Sequence, residues 1–230
     1  MRSPYGAITT FDVPGASYTS PTAINPAGEI TGFYFLNGSG AYHGFVRART
    51  GALTTFDVPS GVFTQPVAID PAGAITGNYE DANGVLHGFL REGAGAITTF
   101  DAPGLNIRTQ PVGITPAGAI AGWNLLADLS AAHGFLRARN GTFTIFDPPE
   151  SKGTITTAIN LEGAITGTYF DANNVGHGFL RIPCERCDEA ASNSLNQPVP
   201  IRPMGSVLLY RMRILANHDL HHSLLPGLPY

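Results

Sequence analysis

Short runs of Thr, Ile, Val and aromatic residues alternate with clusters of Gly, Pro, Asn and Asp along residues 1–182. Runs of this kind are typical of β-strands, and the clusters are typical of turns. Nowhere in this part do apolar residues recur at positions i, i+3, i+4 and i+7, so the pattern predicts no helix. One stretch shows the predicted strands clearly, at 64–70, 74–80, 85–92 and 96–102. The joins are short and contain residues that tolerate positive φ, which indicates antiparallel hairpins.

The same pattern recurs at intervals of about 45 residues. His-Gly-Phe begins at residues 43, 87, 133 and 177, and Phe-Asp begins at residues 11, 56, 100 and 146. Glycines stand at 32, 77, 122 and 167, with the same interval each time. A four-stranded unit of about 40–50 residues has the size of a propeller blade. The sequence therefore predicts an all-β fold, a four-bladed β-propeller over residues 1–182.

The phase of the repeat predicts how the propeller closes. The chain starts with a strand of the fourth type at residues 7–13, and the repeats stop after a strand of the third type at residues 175–182. Pairing these two strands would complete the fourth blade and remove two unpaired edges. The alternative is an arc of four blades from a larger ring, completed by a second chain or by further residues. We expect a monomer or a small homo-oligomer.

With these motifs, the chain resembles the bacterial HAF repeat, or probable extracellular repeat, family, which is named after a His-Ala-Phe tripeptide. The resemblance covers residues 7–182 in the motifs GAITG, HGFLR and GAITTFD. It departs from the family at the middle of the tripeptide, where glycine stands at 44, 88, 134 and 178. The resemblance implies a propeller-like, exported repeat protein with no catalytic residues to carry over. It thus implies an extracellular location, although no signal peptide is visible in this chain.

Charge and hydropathy exclude two classes of partner. The formal net charge is −4, and the 13 basic residues are spread singly, so the chain lacks the basic patch of a nucleic-acid-binding protein. The longest apolar stretch, residues 207–216, is interrupted by Arg211 and Arg213. It is shorter than the roughly 20 residues that a membrane helix needs, so we expect no membrane span.

Two polar residue types recur once in every repeat: His43, His87, His133 and His177, and Asp12, Asp57, Asp101 and Asp147. We interpret the histidines as structural groups that satisfy backbone atoms, and the aspartates as turn residues that accept backbone N–H groups. A metal ring of histidines or a catalytic ring of carboxylates is the alternative. Four identical neighbourhoods do not provide the distinct environments that acid–base catalysis needs. We therefore predict no catalytic residue, no metal and no cofactor.

The residues after each repeated glycine vary while the frame stays constant: Phe33-Tyr34, Asn78-Tyr79, Trp123-Asn124 and Thr168-Tyr169. Aromatic rings beside polar groups offer the stacking faces and hydrogen bonds of a carbohydrate or peptide site. The predicted ligand-binding residues are Tyr34, Tyr79, Trp123 and Tyr169. Packing between blades is the competing interpretation.

Residues 183–230 lack the repeat and form a separate C-terminal tail. Cys184 and Cys187 make a lone CxxC, to which His218, His221 and His222 could add zinc ligands. About 30 residues of unrelated sequence intervene, so a local disulfide or free thiols are favoured over zinc. Residues 206–216 predict a short helix docked on the propeller, and a partly disordered tail is the alternative.

These features predict a non-enzymatic repeat protein that acts as an extracellular binding or scaffold module, with a glycan or peptide as ligand. The alternative is a propeller-type glycan hydrolase or lyase. An enzyme would need acids or a histidine in one blade that the other blades lack. Only Asp128 and Lys152 stand out as isolated differences between the repeats, which is too little asymmetry to support chemistry.

Overall fold

The computed structural model describes residues 6–104, 106–128 and 131–183. Their regular structure is entirely β-strand, which confirms the all-β prediction for this part of the chain. No helix capable of crossing a membrane occurs in these three ranges. The predicted tail helix and the two cysteines lie outside the described residues.

Fifteen strands follow one another along the described chain. They are β1 (Ala16–Ile24), β2 (Ile30–Leu36), β3 (His43–Arg47), β4 (Leu53–Phe56), β5 (Phe63–Ile69), β6 (Ile75–Glu80), β7 (Leu86–Arg91), β8 (Ile97–Phe100), β9 (Asn106–Ile114), β10 (Ile120–Leu126), β11 (Ala132–Arg137), β12 (Phe143–Phe146), β13 (Gly153–Ile159), β14 (Ile165–Phe170) and β15 (Gly176–Arg181).

The strands form four consecutive meanders, which we call units 1 to 4: β1–β4, β5–β8, β9–β12 and β13–β15. Within each unit, strands that follow one another pair antiparallel. We call the strands of a unit A, B, C and D in chain order. In unit 2 the observed strands begin and end within two residues of the predicted bounds, so the sequence pattern located them correctly.

The predicted closure is not present. Residues 7–13 form no strand, and β15 pairs with β14 but with no fourth strand among the described residues. Residues 7–13 lie instead against unit 1, where the ring of Phe11 is 6.1 Å from that of Phe45. A parallel pairing of Leu86 with Arg108 joins units 2 and 3, so three sheets are formed rather than four separate blades. The described units therefore form an open array.

The hydrophobic core lies between consecutive units. Phe45, Phe89 and Phe135, the last residues of the His-Gly-Phe tripeptides, have no exposed surface. The strand D ring of one unit meets the strand C ring of the next, as Phe56 meets Phe89 edge-on at 6.1 Å. Each unit thus needs a neighbour to bury its apolar face, which is the usual physics of a repeat architecture.

Close packing explains both repeated glycines. A Cβ on Gly77 in strand B would overlap the carbonyl oxygen of Gln65 in strand A and the ring of Phe89. In strand C, a Cβ on Gly44 would lie 2.7 Å from Cζ of Phe56, because that ring covers the glycine. Both positions therefore require glycine for space.

Candidate functional site

The residues singled out by the repeat meet at one end of each unit. This end contains the hairpin between strands B and C and the connection from strand D to the next unit. In unit 2, Tyr79 lies near the end of strand B, His87 near the start of strand C, and Asp101 directly after strand D. We call this the histidine end of a unit.

Each histidine of units 1 to 3 pairs with the aspartate that follows strand D of its own unit. The distances from Nδ1 to the carboxylate oxygen are 2.9 Å for His43 and Asp57, 2.8 Å for His87 and Asp101, and 2.7 Å for His133 and Asp147. The sequence pattern predicts that both residue types bind backbone groups. The structure corrects this, because strands C and D bring the two side chains together across 14 residues of sequence.

In units 2 and 3 the carboxylate also contacts the following unit. Asp147 accepts a hydrogen bond from the hydroxyl of Thr154 at 2.5 Å, and Asp101 lies 3.4 Å from that of Thr109. Both threonines are fully buried in strand A of the next unit. The pair of histidine and aspartate therefore acts as a latch between consecutive units.

Three of the four predicted ligand-binding residues lie against a histidine of the repeat, with Tyr79 and Tyr169 stacked and Tyr34 tilted by 35°. The ring centroids of Tyr79 and His87 are 5.0 Å apart, those of Tyr169 and His177 are 5.0 Å apart, and those of Tyr34 and His43 are 5.3 Å apart. All three tyrosines are half-buried. Burial raises the pKa of Tyr79, although a hydrogen bond with Thr99 opposes the shift. These rings thus have one face already occupied by imidazole.

Trp123 does not share this position. It lies opposite Gly134 in strand C, whereas Asn124 lies opposite His133. Because side chains alternate between the faces of a strand, Trp123 is on the opposite face of its unit from the stacked tyrosines of the other units. Its ring contacts the guanidinium of Arg108 at 5.6 Å. The four predicted residues therefore do not form one repeated site.

In unit 2 the histidine lies between two carboxylates. Both ring nitrogens of His87 face carboxylates, with Nε2 at 3.7 Å from Asp81 and Nδ1 at 2.8 Å from Asp101. Lys152 is one of the two residues that have no counterpart in the other repeats. Its amine donates a hydrogen bond to the carbonyl of Ala172 at 2.7 Å and so stabilises a turn. In residues 6–104, 106–128 and 131–183, no three His, Cys, Asp or Glu side chains are grouped to hold a metal ion.

A cavity of about 340 Å³ opens at the junction of units 2 and 3, beside His87, Asp101, Gly104, Asn106 and Ala127. Its imidazole and carboxylate are already paired with each other. The side chain of Asn106 is engaged as well, since its amide nitrogen donates to the carbonyl of Ala102 at 2.5 Å and its oxygen accepts from the amide of Asn124 at 2.6 Å.

An aromatic cluster on unit 1 is the feature that the sequence reasoning missed. Its members on unit 1 are Tyr18, Phe33, Phe35 and Tyr42, which we call the unit 1 aromatic cluster, and Phe63 of β5 in unit 2 packs against it. Tyr18 stacks on Phe35 with centroids 4.8 Å apart, and Tyr42 lies 5.1 Å from both Phe33 and Phe63. The cross-strand register could have revealed it, since Tyr18 lies beside Phe35 in the pairing of β1 and β2.

The hairpins between strands B and C are closed by aspartate in units 2 and 4. Asp81 accepts backbone N–H groups from Asn83 at 2.8 Å and from Val85 at 2.9 Å, and Asp171 accepts the corresponding two bonds. The bonds from Val85 and Val175 are the main reason why the pKa values of Asp81 and Asp171 are lowered. These acids therefore shape turns.

No family model and no curated protein matches the chain. Among solved structures, a streptogramin B lyase shows 14% identity and a TM-score of 0.41 over 74% of this chain and 56% of its own. TolB from Acinetobacter baumannii shows 16% identity and a TM-score of 0.45 over 72% of this chain and 43% of its own. The chain thus spans about half the length of each structure, and similarity at this level carries no argument about function.

Proposed function

We propose that this protein is a non-enzymatic binding module whose ligand, a carbohydrate or a peptide, docks on the unit 1 aromatic cluster. The observation that carries the proposal is the stack of Tyr18 on Phe35 at 4.8 Å, with Tyr18 43% exposed. Phe35 packs against one face of the Tyr18 ring and fixes its orientation, so that the exposed part of Tyr18 is a preformed stacking surface. Stacking of this kind suits the apolar face of a sugar or the side chain of a peptide.

The cluster differs from the frame of the repeat. Strand pairing places Asn78 and Glu80 in unit 2 where Phe33 and Phe35 stand in unit 1. Unit 3 has Ala132, and unit 4 has Gly176, at the position of Tyr42. Trp123 of unit 3 stands at the position of Phe33, and Phe170 of unit 4 at that of Phe35. Only unit 1 has aromatic residues at all three positions, which favours a role specific to that surface.

The repeated latches argue against catalysis. Histidine and aspartate pair with nearly the same geometry in units 1, 2 and 3. Acid–base catalysis needs groups in distinct environments, so three copies of one environment favour a structural role. An extracellular scaffold remains part of the proposal, and its location rests on the resemblance to the HAF repeat family.

The experiment is a glycan and peptide array probed with the full chain and with Tyr18→Ala. We expect specific binding that falls at least tenfold in Tyr18→Ala. The matched control is Phe170→Ala, because Phe170 occupies the position of Phe35 in unit 4. This control should bind like the wild type.

Two results would overturn the proposal. Binding that survives Tyr18→Ala but is lost in Tyr79→Ala or Trp123→Ala would place the site elsewhere. If the folded protein binds nothing on either array, the binding function is contradicted and only a scaffold function without a ligand is left.

A further inference from the structure

The two ends of the open array expose residues that the inner units bury. Leu180 of β15 is 71% exposed, whereas its counterpart Leu90 in unit 2 is 8% exposed. At the other end, Ile24 of unit 1 is 67% exposed, whereas Ile69 and Ile114 in units 2 and 3 are each 9% exposed. The side chains that pack between neighbouring units inside the array are therefore exposed at its two ends.

Within residues 6–104, 106–128 and 131–183, one specific partner of the outer edge of β15 is missing. In units 1 to 3 a strand D ring covers the glycine of His-Gly-Phe, as Phe146 covers Gly134 at 2.6 Å from the position of a Cβ. At Gly178 a Cβ would meet nothing within 4 Å. The missing group is therefore a phenylalanine ring from a strand of type D.

Residues 7–13 supply a segment of that type. They read AITTFDV, and the strand D segment of unit 2, residues 96–102, reads AITTFDA. Phe11 already makes half of the strand D contacts: it lies 6.1 Å from the ring of Phe45 and 4.8 Å from the guanidinium of Arg47. Phe56 makes the same two contacts with unit 2, at 6.1 Å from Phe89 and 4.9 Å from Arg91.

Residues 7–13 do not make the remaining contacts of a strand D segment. A strand D phenylalanine also covers a strand C glycine, and the aspartate after it pairs with a histidine. No hydrogen bond between Asp12 and a histidine occurs in the described part of the chain. His177 stacks on Tyr169 and meets Asp171 through Nε2 at 3.5 Å, whereas the histidines of units 1 to 3 pair through Nδ1 with the aspartate after strand D. Phe11 with Asp12, and Gly178 with His177, are thus complementary half-sites at opposite ends of one array.

We propose that these half-sites join head to tail between two copies of this chain. Residues 7–13 and the exposed face of unit 1 in one copy dock on β15 and the exposed face of unit 4 in the second copy. The junction repeats the contacts between units 1 and 2, with Phe11 over Gly178 and Asp12 beside Nδ1 of His177. Two such junctions close a ring of eight units, which is within the usual range of about four to eight propeller blades.

A second copy explains the observations better than closure within one chain. The arrangement of the four units leaves both Ile24 and Leu180 exposed in the same chain. Residues 7–13 lie on unit 1 and do not pair with β15. An unpaired edge strand beside an exposed apolar face favours association with another chain.

The test is the mass of the full chain in solution, measured by light scattering across a dilution series. We expect a dimer of the 24.2 kDa chain that dissociates on dilution. Gly178→Ala should weaken the dimer at least tenfold, because its methyl group would lie where Phe11 of the other copy must pack. The fold should survive, since that methyl group meets nothing within 4 Å in one chain.

Leu180→Asp tests the same surface by a different chemistry and should also give monomers. The matched control is Thr144→Ala, an exposed residue of β12 away from both ends, which should remain dimeric. A wild-type chain that is monomeric at every concentration would overturn the proposal. Closure of the ring within one chain would give this result. A dimer that persists in both variants would overturn it too.

Discussion

The Nδ1 atom of His87 lies 2.8 Å from Oδ1 of Asp101, and the carboxylate lies 3.4 Å from the hydroxyl of Thr109 in the next unit. One side-chain pair therefore ties the start of strand C to the end of strand D and to the following unit. This contact connects three strands at the histidine end of unit 2.

A double-mutant cycle with His87→Ala and Asp101→Ala should measure the latch. Because the side chain of Asp101 is 53% exposed, we expect a coupling of only about 0.5–1 kcal/mol. Urea unfolding of the wild type, both single variants and the double variant gives this value. Strictly additive losses would contradict the latch.

Gly88→Ala should destabilise the protein by about 1–3 kcal/mol, because its Cβ would overlap the ring of Phe100. Gly178→Ala is the matched control, since its Cβ meets nothing within 4 Å. Thermal and urea unfolding of monomeric samples should separate the two variants. Equal losses would show that the strand D ring does not impose glycine.

Phe89→Ala should cost about 3–5 kcal/mol, because Phe89 has no exposed surface and packs between units 1 and 2. Phe179→Ala changes the equivalent residue of unit 4, which is half-buried and should cost clearly less. The free energies of unfolding in urea give the comparison. If Phe179→Ala lowers the free energy of unfolding more than Phe89→Ala does, the main core does not lie between units 1 and 2.

Asp81 and Asp171 predict a loss of stability in acid. Their folded-state pKa values are lowered, chiefly by backbone hydrogen bonds from Val85 and Val175. A lowered pKa means that the stabilisation is present above the unfolded-state value of about 3.9 and is lost as the pH falls through the folded-state value. The loss should therefore appear below about pH 4.

The double variant Asp81→Asn with Asp171→Asn tests the acid effect. Its free energy of unfolding should depend less steeply on pH in the acid range than that of the wild type. Asparagine can keep the turn, since Asn160 accepts backbone N–H groups from Glu162 and Ala164 in a comparable hairpin. An unchanged slope would show that these two carboxylates do not couple to folding.

The aromatic site shows where prediction from the sequence stopped. Tyr79 and Trp123 both follow a repeated glycine, but one residue of offset places them on opposite faces of their units. The sequence predicted aromatic residues near strand ends, yet not which of them lie together. That depends on cross-strand register, which also brings Tyr18 beside Phe35.

The sequence alone determined the repeated unit with its strands and turns, and it showed that glycine recurs at fixed positions. These properties follow from local patterning and from steric limits that recur in every copy. Only the tertiary structure decided that His87 binds Asp101 and that the aromatic cluster forms on unit 1. The tertiary structure also decided that Phe11 packs on unit 1 and does not cover Gly178 of unit 4. Each of these depends on distances between segments remote in sequence, which a one-dimensional pattern does not contain.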